Sequence, residues 1–122
     1  MSSTESGATS VLDERLRLDH GFGLADREWV TKALAGLAPH LNGWHPDQID
    51  LEISVKERDG NDQRVTLEAS IAGLPKLVAT SADDDLYQAI AEVRKDLIRQ
   101  IEDQKSRRDP SHHRASAKHP AG

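Results

Sequence analysis

The sequence predicts an α+β domain in the order β-α-β-β-β-α, a four-stranded, mostly antiparallel sheet with two helices on one face. Three observations predict it. Ile49, Leu51, Ile53 and Val55 alternate with Asp50, Glu52, Ser54 and Lys56, and Val65, Leu67, Ala69 and Ile71 alternate with Arg64, Thr66, Glu68 and Ser70, as strands do when one face is dry and the other wet. Between these runs Asp59-Gly60-Asn61-Asp62 turns the chain, which makes them an antiparallel hairpin. Leu86, Ile90, Val93, Leu97 and Ile101 instead recur every three or four residues, the stripe of an amphipathic helix.

Residues 1–10 are Ser, Thr, Gly, Ala and Glu after Met1, with nothing large to bury against the entropy of ordering, and are expected to form a disordered arm. From Arg15 to His20, Leu16 and Leu18 share one face opposite Arg15, Arg17 and Asp19, a short strand that Gly21 and Gly23 stop. The period then lengthens: Val30, Ala33, Leu34, Leu37 and Leu41, with Trp29 beside them, line one side of a first helix that Asp26 is placed to cap. Pro39 and Asn42-Gly43 end that helix near residues 38–40, before a loop holding Trp44, His45 and Pro46. After Gly73-Leu74-Pro75, Leu77–Ser81 reads as a third, short strand at a sheet edge. Ser81 or Asp83 caps the last helix, and Asp83, Asp84 and Asp85 face the positive end of its dipole. That helix runs into Lys105, Arg107 and Arg108 before Asp109-Pro110 stops it. The folded domain is therefore expected over 11–108, with a disordered basic tail at 109–122.

Composition narrows the function. The 122 residues contain no cysteine, which excludes disulfides, thiol nucleophiles and cysteine-held zinc. No run approaches the length of a membrane span and the start lacks a signal peptide's basic and apolar parts, so a cytoplasmic protein without membrane contact is expected. No serine is paired with a base at a supporting spacing and no glycine-rich phosphate loop is present, so the expectation is a non-enzyme with no small-molecule substrate and no cofactor. His20, His40 and His45 read as surface or packing residues, and the aspartate triplet lacks the alternating oxygens of a calcium loop, so no metal is expected.

The net charge of −5 hides a segregation along the chain. Residues 1–90 carry 8 Lys or Arg against 16 Asp or Glu, whereas residues 91–122 carry 8 against 5. On the last helix Lys95 and Arg99 project opposite the Leu86, Val93 and Leu97 stripe, beside Gln88, Glu92 and Glu102. Ordinary helix-face ion pairs, Glu92 with Lys95 and Arg99 with Asp103, are the plain reading of that surface.

A more specific reading comes from Ala79-Thr80-Ser81-Ala82-Asp83-Asp84-Asp85-Leu86-Tyr87-Gln88-Ala89-Ile90, followed by Leu97, Arg99-Gln100 and Lys105. These residues, the element order and, more weakly, Arg27-Glu28-Trp29-Val30 resemble the ribosome hibernation promoting factor family over roughly residues 12–108. The resemblance implies a fold like a double-stranded-RNA-binding domain with an added first strand. It also implies binding to the small ribosomal subunit where messenger RNA and tRNAs would sit, through basic side chains on 16S rRNA phosphates, in idle ribosomes of stationary phase or stress. Carried over by position, Arg99, Gln100, Lys105 and Arg107 on the last helix and Arg27 and Lys32 on the first become rRNA-binding candidates, Lys56 and Arg58 extend the patch, and local charge adds Lys95 and Arg108.

The chain departs from the family at Asp96 and Asp103, where a typical member carries lysine, and at Ala33 and Gly36, which replace first-helix lysines. Each change removes a favourable phosphate contact, and the aspartates add repulsion. Nothing after Arg108 matches the dimerising C-terminal domain of longer members, so the expectation is the short form, a monomer, with Arg114 and Lys118 in its tail. The alternative is a protein-interaction module of the same fold that has lost RNA binding.

Overall fold

The computed structural model describes residues 11–108, so the expected arm at 1–10 and tail at 109–122 lie outside the described residues. Its elements are β1 (Leu16–Leu18), α1 (Arg27–Ala33), β2 (Ile49–Lys56), β3 (Gln63–Ile71), β4 (Leu77–Asp83) and α2 (Leu86–Arg108), with 3-10 turns at Leu24–Asp26, Ala35–Leu41 and Pro46–Gln48. The sheet order is β1-β2-β3-β4; β1 runs parallel to β2 and the other pairs are antiparallel. The β1-α1-β2 crossover is what makes the first pair parallel.

One-sided burial organises the rest. Along β2, Ile49, Leu51, Ile53 and Val55 are buried while Asp50, Glu52, Ser54 and Lys56 are not, and β3 repeats the alternation. The inward residues form one core with Val30, Leu34 and Leu37 from the α1 region and Ile90, Val93, Leu97 and Ile101 from α2. Each such Leu or Ile side chain contributes about 1.5–3 kcal/mol by leaving water, so the helices are held on this face far more firmly than by their polar contacts. Among the described residues no element covers the opposite sheet face.

Three segments differ from the sequence reading. Residues 11–15 are helical, and β1 shrinks to Leu16–Leu18. Leu12 and Leu16 are both buried, a four-residue spacing that suits a helical turn, and Leu18 is only half-buried. The first helix gives up α geometry at Leu34 and continues as the 3-10 turn Ala35–Leu41, with Pro39 inside it. Proline lacks the N–H an α-helix would need there and its ring would strike the carbonyl four residues back. Leu37 and Leu41 stay buried nonetheless. Finally, β4 continues to Asp83, so Ser81 is a strand residue rather than a cap. Asp85 performs that role: its Oδ1 accepts from the N–H of Tyr87 at 3.0 Å and of Gln88 at 3.4 Å, while Asp83 Oδ1 accepts from Asp85 N–H at 2.9 Å.

Candidate nucleic-acid interface

The exposed side of α2 carries the densest group of predicted binding residues. Lys95 and Arg99 are exposed, as the helical projection requires. Arg99 pairs with Asp96, Arg107 Nη2 lies 3.1 Å from Asp103 Oδ2, and Lys105 Nζ lies 3.3 Å from Glu102 Oε2. The pairing therefore runs Asp96–Arg99 and Asp103–Arg107, not Asp103–Arg99. Glu92 accepts from Gln88 Nε2 at 3.2 Å instead of holding Lys95. Exposed pairs of this kind are worth a few tenths of a kcal/mol, so the carboxylates weaken the field of the patch without locking the cations away from a phosphate.

At the C-terminal end of α2 Lys105 is built into a small cluster. The Glu102 oxygen that meets Lys105 also lies 2.7 Å from His40 Nδ1, and Lys105 Nζ sits 5.7 Å from the centre of the Trp44 ring. The His40 hydrogen bond first, and the Lys105 contact after it, hold the Glu102 carboxyl below its ordinary pKa. Trp44 donates its Nε1–H to Ala72 O at 3.2 Å, so this end of the helix is anchored over the β3–β4 turn. Gln100 is an anchor too: its Nε2 donates to Val78 O at 2.9 Å and to Asp96 Oδ2 at 3.1 Å. Arg108 ends α2, and its side chain lies outside the described residues.

The predicted residues outside α2 are dispersed. Arg27 donates from Nη1 to Leu16 O at 2.8 Å and from Nη2 to Asp13 O at 2.6 Å, tying α1 to the segment around β1. Lys32 is exposed and 3.7 Å from Glu28. Arg58 is engaged within the fold. Its Nη1 and Nη2 meet Asp26 Oδ2 and Oδ1 at 2.8 and 2.9 Å, Nη1 also reaches Gly21 O at 2.9 Å, and its guanidinium stands 5.5 Å from the Phe22 ring centre.

Asp26 makes no side-chain cap bond at the start of α1. It accepts from Arg58, from Gly23 N–H at 2.8 Å and from Trp29 Nε1–H at 2.9 Å, and these bonds, Arg58 first, hold its pKa well below the ordinary carboxylate range. Lys56 projects from the open sheet face, away from both helices. Directly across the hairpin is Arg64, a cation the sequence reading passed over; Lys56 and Arg64 flank the turn symmetrically, and that was the available signal.

A missed structural arginine, Arg94, donates from Nη1 to Ala33 O at 3.0 Å and joins α2 to the end of α1. Its Cδ would lie 3.4 Å from a Cβ at Gly36, so a long basic side chain at position 36 would meet Arg94. Among the described residues no group of three or more His, Cys, Asp or Glu is placed to hold a metal ion, and no helix is long and apolar enough to cross a membrane.

The profile of the family described as sigma 54 modulation protein / S30EA ribosomal protein matches residues 24–109, the span that holds every α1, hairpin and α2 candidate. No curated protein matches the chain. Among solved structures, the fold is similar to the N-terminal domain of Thermus thermophilus Protein Y, with a TM-score of 0.54 and 21% identity over 72% of this chain and 92% of that one. It is also similar to a ribosomal subunit interface protein from Coxiella burnetii, with a TM-score of 0.52 and 16% identity over 75% and 98% of the two chains. At these identities the likeness is one of fold.

Proposed function

The chain belongs to the sigma 54 modulation protein / S30EA ribosomal protein family, and on that premise we propose that it is a ribosome-associated factor that binds 16S rRNA in the decoding region of the small subunit. Occupying that region in idle ribosomes inhibits translation or shields the subunit. The function requires no catalysis and no cofactor, and it places the protein in the cytoplasm, acting as a monomer. The observation that carries the reading is the set of exposed cations Lys95, Arg99 and Arg107 on one helix inside the family span, with Lys105 half-buried on another flank of the same helix. A rigid helix holding cations at its own pitch presents several phosphate contacts at once. The name of the similar Coxiella burnetii structure, a ribosomal subunit interface protein, supports a ribosomal role.

The test is sedimentation with purified small subunits in dilute and in moderate salt. The expected result is co-pelleting whose affinity falls with salt, with a logarithmic slope of about 0.7–0.9 per phosphate contacted. Joint charge reversal of Arg99, Lys105 and Arg107 abolishes it while the fold persists; a triple variant that pellets like the parent overturns the patch.

One observation favours a second reading, a protein-interaction module: Asp96, Glu102 and Asp103 stand among the cations of α2. A partner captured equally well after nuclease treatment and in high salt would select that reading.

A further inference from the structure

The open face of the sheet is not uniform. At one end Arg17 lies 2.8 Å from Asp50 and 3.5 Å from Glu52, and Lys76 lies 2.9 Å from Glu68, so each of these three carboxylates has a cation beside it. At the other end Lys56 and Arg64 are directly opposed across β2 and β3. Like charges in that relation destabilise a sheet. Among the described residues Lys56 has no ion pair, and Arg64 has only a 3.5 Å contact with an exposed Asp62. The next tier inward is Ser54, Thr66 and Thr80, three hydroxyls side by side across β2, β3 and β4. Lys56, Arg64, Thr66 and Thr80 line a shallow depression of about 420 Å³.

We propose that this end of the sheet is a second nucleic-acid contact, which takes the phosphodiester backbone of an RNA segment other than the one held by α2. The two cations supply charge, and the row of hydroxyls supplies donors to phosphate oxygens. Charge complementarity selects the occupant, because two cations opposed across the hairpin, Lys56 without an ion pair among the described residues and Arg64 with only the exposed Asp62 at 3.5 Å, suit a polyanion and repel a basic surface.

The two contacts are far apart. The Lys56–Arg64 tier continues to Ala82 on β4, next to where α2 begins, whereas Gln100 bonds Val78 at the opposite end of β4. The helix from Leu86 to Lys105 is about 28 Å long. The contacts thus lie on opposite faces and toward opposite ends, and the protein bridges two RNA segments instead of lying on one. This inference rests on the ribosomal RNA reading above.

The experiment measures the affinity of the full chain for purified small subunits across a salt series, for the parent, for Lys56→Gln with Arg64→Gln, and for Arg99→Gln with Lys105→Gln and Arg107→Gln. The expected result is that the sheet double variant lowers the salt slope by about 1.5–2 and the affinity at least tenfold, additively with the helix triple variant. It should also melt no lower than the parent, since a like-charge pair has been removed. If the helix variant lowers the slope and the sheet variant does not, the second contact is overturned while the ribosomal reading stands. Loss of affinity in the sheet variant with the slope unchanged assigns the face to a ribosomal protein and also overturns it. A parent that does not bind small subunits overturns both.

Discussion

Arg58 grips Asp26 through two parallel hydrogen bonds, Nη1 to Oδ2 at 2.8 Å and Nη2 to Oδ1 at 2.9 Å, and so joins the end of β2 to the start of α1. A cation that charge alone would assign to RNA thereby also holds the fold together. Asp26→Asn should cost about 2 kcal/mol, a Tm drop of roughly 10 °C in a domain of this size, because Arg58 is left half-buried without its counter-charge. Arg58→Gln should cost nearly as much, and the double variant clearly less than the sum. Asp26 titrates below the ordinary range when folded, so its stabilisation is complete above about pH 5 and is lost as the pH falls through 4 toward the depressed folded value. Urea titrations between pH 3 and 7 check this; an Asp26→Asn variant with the parent's acid sensitivity contradicts it.

Asp96 and Asp103 oppose the proposed function by electrostatics, not by geometry, since each meets a neighbouring arginine in an exposed pair. Asp96→Asn with Asp103→Asn should therefore tighten binding to small subunits by roughly three- to tenfold in dilute buffer, the gain fading as salt screens it. Stability should change by only a few tenths of a kcal/mol. Sedimentation and a thermal melt on the same preparation separate the two effects.

Arg27 and Lys95 make a matched comparison. Arg27 spends its guanidinium on the carbonyls of Leu16 and Asp13, so Arg27→Gln should cost about 1–2 kcal/mol and leave the salt slope of binding unchanged. Lys95→Gln should do the reverse, lowering the slope by about 0.7–0.9 with no change in Tm. A parent-like Tm for Arg27→Gln would return that residue to the binding surface.

The contrast between Arg27 and Lys95 also marks how far the sequence was legible. The hairpin was readable because one-sided burial imposes period two, and Ile49 to Val55 and Val65 to Ile71 follow it without exception. Leu34, Leu37 and Leu41 showed that the segment after α1 packs inward but not that it is a 3-10 turn, since both helix types bring residues three or four apart onto one side. The pairing on α2 was local and nearly legible: carboxylates three or four residues from each arginine left a choice of partner that spacing alone does not decide. What spacing does not reveal at all is a partner made by tertiary folding. Asp26 lies 32 residues from Arg58, and Arg27 reaches 14 residues back to a carbonyl, so two of the binding candidates were visible as charges while their occupation was not.

Gly21 and Gly23 both follow β1, yet they should respond to substitution with opposite signs. Gly21 has φ +87°, and a Cβ there would lie 2.3 Å from Val55 O, in a segment where Val55 N–H donates to His20 O at 2.9 Å. Gly21→Ala must strain the backbone and push β2 away from the β1 turn, a loss of about 2 kcal/mol or more. Gly23 has φ −121° and ψ 178°, an extended conformation open to any residue, and nothing lies within 4 Å of a Cβ built there. Gly23→Ala should therefore leave the native contacts intact while narrowing the unfolded ensemble, a gain of about 0.4–1 kcal/mol. Denaturant midpoints of the two variants give the signs directly, and a destabilised Gly23→Ala would mean that the Asp26 carboxylate, which accepts from Gly23 N–H, cannot tolerate even a small shift of that backbone.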